Sequence, residues 1–131
     1  MYIGGYNIAF VLHAVIETPA AMNFMLFPSR QIGSFTPQAH PLIRQYALLL
    51  LSSVLISVAF TVRPADDLTG MVAGCFSIYH VGPAIRSLTR LKEQAGRQQP
   101  IFLSEAFLYL AVHVCCGLSL FQCFLSAARG E

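Results

Sequence analysis

Three histidines and a glutamate stand inside runs of the chain that are otherwise apolar, and together they are the residues able to move protons. His13 and Glu17 are four apart, so in a helix they lie one above the other on a single face. His80 sits on a face with Gly70, Ala73, Ser77 and Ala84, and His113 shares a face with Tyr109, Cys116 and Gly117. Imidazole and carboxyl groups held in a low-dielectric cavity have their acidities pushed toward neutrality, which suits donating and abstracting protons. For a lipophilic substrate that chemistry is isomerisation or cyclisation: protonate a double bond or epoxide, and remove a proton elsewhere. Glu17 is the first candidate acid, with His13, His80 and His113 beside it. Glu105, two turns from His113 and turned from it by roughly 80° at 3.6 residues per turn, completes the set. Tyr79, Tyr109 and Phe24 are candidates to line the substrate pocket.

The elements that must carry these residues follow from composition. The chain has 131 residues, 56% hydrophobic and only 11% charged, with a mean hydropathy of +0.63. That is too apolar for a water-soluble domain of this size. A hydrocarbon core about 30 Å thick demands helices of about 20 apolar residues, and four can be laid on the sequence at about 5–27, 42–62, 68–88 and 101–127. The expected fold is all-α: a single integral membrane domain over 1–131, an antiparallel bundle of four transmembrane helices. A charged group at mid-bilayer costs about 2.5 to 3.5 kcal/mol on insertion scales, so Glu17 is expected to face protein or water rather than lipid.

Each segment carries its own signals. Pro19 removes an amide donor and displaces the carbonyl of Val15, and Pro83 does the same to Tyr79, so both helices are expected to bend beside a polar residue. Phe10 and Phe24 bracket the His13 and Glu17 pair. The stretch from Ser29 to Pro41 mixes Arg30, Gly33 and Pro37 with Ile32 and Phe35, as a surface-lying linker or lid would. Ser53, Ser57 and Thr61 form a stripe suited to packing against another helix or to bonding their own carbonyls. Asp67 is the expected cap of the third helix, and Gly70 and Gly74 have the small-xxx-small spacing of close helix contacts. Between Arg86 and Gln99 the chain becomes basic, past the expected end of the third helix near Leu88, and Pro100 restarts an apolar run.

With about 1.5 Å of rise per residue, Glu17, His80 and His113 each fall about twelve residues into their helices, near the midplane. Six basic residues (Arg30, Arg44, Arg86, Arg90, Lys92 and Arg97) flank one side and Arg63 and Arg129 the other. The excess of positive charge on cytoplasmic loops then places both termini on the non-cytoplasmic side, with His40 in a cytoplasmic connection. The first helix is expected to be retained, since no cleavage site or lipidation motif accompanies it.

Cys75, Cys115, Cys116 and Cys123 all fall in apolar runs and form no CxxC pair, which argues against thiol redox chemistry. The basic residues do not imply nucleic acid. Membrane lipid and a lipophilic small molecule are the expected partners, and a second copy of the chain or another membrane protein is a further candidate. Metal binding is a third reading, but the spacing matches no transmembrane metal signature, so no metal and no cofactor is assigned. The alternative to an enzyme is an accessory or structural membrane protein in which the His/Glu cluster only fixes helix packing. A polar first helix ending at Phe27, Pro28 and Ser29, a Leu-rich second and a third bearing Gly and His resemble the small four-helix DoxX-like membrane proteins. That resemblance implies a four-helix bundle and no single activity.

Overall fold

The structure is a computed structural model that describes residues 2–3, 5–32, 36–94 and 104–130. Its elements are two short strands, β1 (Tyr2–Ile3) and β2 (Tyr6–Asn7), then helices α1 (Ile8–Leu26), α2 (Ser29–Ile32), α3 (His40–Phe60), α4 (Asp67–Gln94) and α5 (Glu105–Ala128). A 3-10 turn over Pro37–Ala39 leads into α3. Four helical stretches, α1, Pro37–Phe60, α4 and α5, are long and apolar enough to cross a membrane. At 1.5 Å per residue the shortest, with 19 residues, is about 28 Å long, close to the hydrocarbon thickness. Large apolar side chains such as Leu49, Met71 and Ile78 are left exposed, at 69%, 65% and 74%. Such a surface suits lipid and not water.

The chain forms two compact units, Tyr2–Arg63 and Pro64–Glu131. In the first, β1 and β2 close a small ladder around Gly5, whose φ of 85° is open to glycine and strained for other residues. Asn7 then caps α1, its side chain accepting from Ala9 N at 3.2 Å. Its own N–H donates to Thr61 O at 2.6 Å, beyond the end of α3. Near the other end of α1, Phe24 stacks on Tyr46 with ring centroids 5.7 Å apart. The buried residues of α1 are Ala9, Phe10, His13, Ala14, Glu17 and Ala21, the 3- and 4-residue spacing of one helix side.

In the second unit α4 packs on α5 through small residues. A Cβ on Gly70 would stand 2.5 Å from the Ala127 Cβ, and one on Gly74 would stand 3.2 Å from the Phe124 ring. The Gly70 and Gly74 spacing therefore does what small-xxx-small spacing does, letting two backbones approach.

Local structure departs from the sequence expectation in four places. Asn7 is a cap rather than a polar residue within the first helix, because its side chain reaches the second amide beyond it. Asp66, not Asp67, caps α4, its Oδ1 accepting from Thr69 N at 2.7 Å; Asp67 is the first helical residue. The third long helix does not end near Leu88 but continues through the basic stretch to Gln94, since Arg, Leu, Lys, Glu and Gln are good helix formers and no Gly or Pro interrupts them. Ser29–Ile32 is one helical turn, with the Arg30 guanidinium 4.3 Å from the Phe27 ring centroid. Phe35 of the expected lid, and Arg97, Pro100 and Ile101 before the last helix, lie outside the described residues. Both α1 and α4 stay helical through Pro19 and Pro83.

The close α4 and α5 contact predicts a contrast between two glycines. Gly70→Ala should lower the melting temperature in detergent, by the about 1–3 kcal/mol typical of overpacking. Gly82→Ala, whose Cβ meets nothing within 4 Å, should leave it unchanged or raise it by the roughly 0.5–1 kcal/mol of lost glycine entropy. Equal shifts would contradict the tight packing at Gly70.

Candidate functional site

Of the candidate residues, His13 and Glu17 are buried in one unit and His80 in the other. In Tyr2–Arg63, His13 is 0% and Glu17 1% exposed, one turn apart on α1. Phe10 lies a turn before His13 and meets the Phe60 ring at 5.4 Å between centroids. His13 Nε2 is 3.2 Å from Ser53 Oγ on α3. The Ser53 hydroxyl spends its only proton on Leu50 O at 2.7 Å, so its oxygen must accept from His13 Nε2–H. Ser57, a turn beyond Ser53, is fully buried, and its Oγ has no hydrogen-bond partner among the described residues. Thr61 Oγ1 bonds Val58 O at 2.7 Å, so the hydroxyl stripe divides into carbonyl-bonded members and one buried hydroxyl.

In Pro64–Glu131, α4 and α5 bring two histidines together. His80 Nδ1 stands 3.0 Å from His113 Nδ1, with ring centroids 5.3 Å apart and planes at 41°. Local sequence explains the approach. Gly117 lies one turn after His113 on α5, and a Cβ there would come within 3.2 Å of the His80 Cβ, so the missing side chain makes room for the imidazole. Tyr79 meets His80 edge-on at 5.1 Å. His80 is 1% exposed, whereas His113 is half-buried.

Both rings line a cavity of about 360 Å³ between α4 and α5. Among the described residues its polar side chains are Ser77, His80 and His113; the rest of the described wall is apolar, including Val81, Leu110 and Phe121. A volume of this size lies within the range of small-molecule sites, about 300–1,000 Å³. The Nδ1 separation is also near the roughly 3.3 Å between two histidine ligands of a tetrahedral ion with metal–nitrogen bonds of about 2.0–2.1 Å. A nitrogen of His80 is within 4.8 Å of the Cys116 thiol, so this unit holds three side chains of types that bind zinc or copper.

The other expected site residues fall elsewhere. Glu105 is exposed in the first turn of α5, Tyr109 is 46% exposed, and neither they nor Tyr79 line the cavity. Phe24 is engaged with Tyr46 in the other unit. The residues that sequence reasoning missed are the apolar wall. Their signal was present in the spacing, since Val81, Ala84 and Leu88 continue the face of Ser77, while Leu110, Val114, Gly117 and Phe121 continue that of His113.

Hydrogen-bonded imidazoles in an apolar slot can bind the polar end of a lipophilic molecule and exchange protons with it. No protein-family model, no curated protein and no solved structure matches this chain.

Proposed function

We propose that the chain is a small multi-pass integral membrane protein that binds a lipophilic molecule between α4 and α5 and acts on it by acid and base catalysis, isomerising or cyclising a terpenoid, sterol or polyketide-like compound. The observation that carries this reading is the His80 and His113 couple in the wall of an otherwise apolar cavity. A buried polar pair with only structural work is better enclosed by close-packed side chains; this one borders a space of ligand size. Glu17 and His13 keep an acid and base role in the proposal on their chemistry and their burial. Glu105 keeps one on chemistry alone. Tyr79, Tyr109 and Phe24 remain proposed ligand contacts.

The membrane setting proposed is four antiparallel spans with both termini away from the cytoplasm, a four-helix bundle being what the DoxX-like resemblance implies. The lengths and exposed apolar faces of the four helices support the spans, and the asymmetry of Arg and Lys supports the orientation. A second reading has its own support. The His13 and Ser53 hydrogen bond joins α1 to α3 as a packing network would, at a net worth of about 0.5–1.5 kcal/mol, and in an accessory protein nothing more is required of it.

Three measurements separate these readings. Lipid extraction of the purified protein followed by mass spectrometry should recover a terpenoid, sterol or polyketide. Val81→Phe, which fills the cavity, should reduce that recovery at least tenfold while leaving the melting temperature near that of the parent; unchanged recovery would remove the cavity from the proposal. Glu17→Gln should abolish turnover with little change in melting if Glu17 is catalytic. A fall in stability with turnover retained would assign it to packing. In a background without the native cysteines, an impermeant thiol reagent added outside should label Asp66→Cys and spare Gln94→Cys, and the reverse pattern would invert the orientation.

A further inference from the structure

We infer that an anionic phospholipid is the resting occupant of the groove between α4 and α5, with one acyl chain along the apolar wall and its phosphate against Lys92. The inference rests on the groove and the membrane setting of the proposed function, not on its chemistry, and it names the molecule that a substrate must displace.

On α4 the groove is lined by Ser77, His80, Val81, Ala84, Ile85 and Leu88. Val81, Ile85 and Leu88 are exposed and follow one another at spacings of four and three, the row of one helix face. The next position on that row is Lys92. It is exposed, it stands in the last turn of α4, and it makes no ion pair among the described residues. Arg86 and Arg90 come two residues before Leu88 and Lys92, which turns each of them about 160° from the row, to the far side of the helix. Glu93 is turned about 100° from Lys92, and Glu105 is about 140° around α5 from Leu110, which lines the groove. Lys92 is thus the charge that continues the groove wall.

The dimensions are those of a lipid in one leaflet. Ser77 and Leu88 are eleven residues apart, about 16 Å along the axis at 1.5 Å per residue, and half of a hydrocarbon core about 30 Å thick is one leaflet. From Leu68 to Leu88 α4 measures about 30 Å, so that stretch fills the core. Lys92 lies one turn beyond, at about 6 Å, within the headgroup layer that adds about 5–7 Å to each side. A phospholipid carries its phosphate at that level and its chains below it.

Charge selects among phospholipids. The last turns of α4 hold Arg86, Arg90 and Lys92 against Glu93, and a lysine ammonium is a point charge suited to phosphate. A choline headgroup brings its own cation and cancels much of that attraction. The asymmetry of Arg and Lys assigns this end to the cytoplasmic leaflet, where anionic lipids lie. At the deep end His80 and His113 are bonded to each other at 3.0 Å, so a plain hydrocarbon chain can pass over them without breaking that bond.

Native mass spectrometry of the purified full chain in detergent tests this, with dioleoylphosphatidylglycerol and dioleoylphosphatidylcholine supplied in equal amounts. One phosphatidylglycerol should be retained, preferred over phosphatidylcholine about fivefold, the worth of one basic residue beside an anionic surface. Lys92 is exposed, so its variants keep the fold. Lys92→Gln should lose the preference and Lys92→Arg should keep it. Arg90→Gln removes the same charge from the far side of the helix and should keep it too; equal losses in Lys92→Gln and Arg90→Gln would overturn the site and leave a general attraction of the basic end. Val81→Phe, which fills the groove, should lose both lipids alike, and undiminished retention would place the lipid elsewhere. Excess glycerol phosphate, a headgroup without chains, should not displace the lipid; displacement would reduce the site to Lys92 and remove the groove from it. A parent that yields a terpenoid, sterol or polyketide but shows no phospholipid preference would sink this inference and leave the proposed function standing. Retained phosphatidylglycerol with no such compound would do the reverse.

Discussion

The hydrogen bond between His80 and His113 is the constraint on which the α4 and α5 unit depends. Two ring nitrogens at 3.0 Å leave no latitude in the separation of the helices that carry them. Gly117 beside His80, Gly74 against Phe124 and Gly70 against Ala127 allow the backbones to come that close along the length of the pair. Each glycine would be a poor helix residue taken alone. Together they convert a pair of apolar helices, which have little reason to choose one another in lipid, into a pair with one register.

The same rule operates in Tyr2–Arg63 with different groups. Backbone and side-chain polar groups away from water must find partners within the protein. Asn7 does so twice, through its side chain at the start of α1 and through its N–H to Thr61 O. His13 does so through Ser53, whose proton is already committed to Leu50 O. A polar residue on one helix and a hydroxyl on the other thus set the register that the Phe10 and Phe60 rings extend.

Much of this was legible in the sequence because length and apolarity dominate in helices of this kind. Four long helices and the close-packing role of Gly70 and Gly74 could be read directly. Helix ends could not, since they turn on which of two adjacent side chains reaches an amide, as with Asp66 and Asp67, or on whether a charged stretch prefers solvent as helix or as turn. The pairing of His80 with His113 was harder still. Both residues were singled out, but a contact between residues 33 positions apart depends on rotamers and on the space Gly117 leaves, and periodicity carries neither. The cavity wall was hidden for the opposite reason, as Val81, Leu110 and Phe121 have nothing in their type to separate them from lipid-facing neighbours.

The space of about 360 Å³ beside the two histidines is an open groove with exposed wall residues such as Val81 and Phe121, so its surroundings fill it. In a bilayer an acyl chain can enter it. A ligand then competes with lipid and not with a void, and apolar contact gives it little advantage, because an acyl chain is equally apolar. Discrimination must come from what a hydrocarbon tail lacks: a polar group able to meet Ser77, His80 and His113. A saturated tail placed against the couple leaves those groups without a ligand partner, whereas an oxygen there gains charge-free hydrogen bonds in a low dielectric, where such bonds are electrostatically stronger than in water. The apolar wall therefore provides capacity and the three polar residues provide choice.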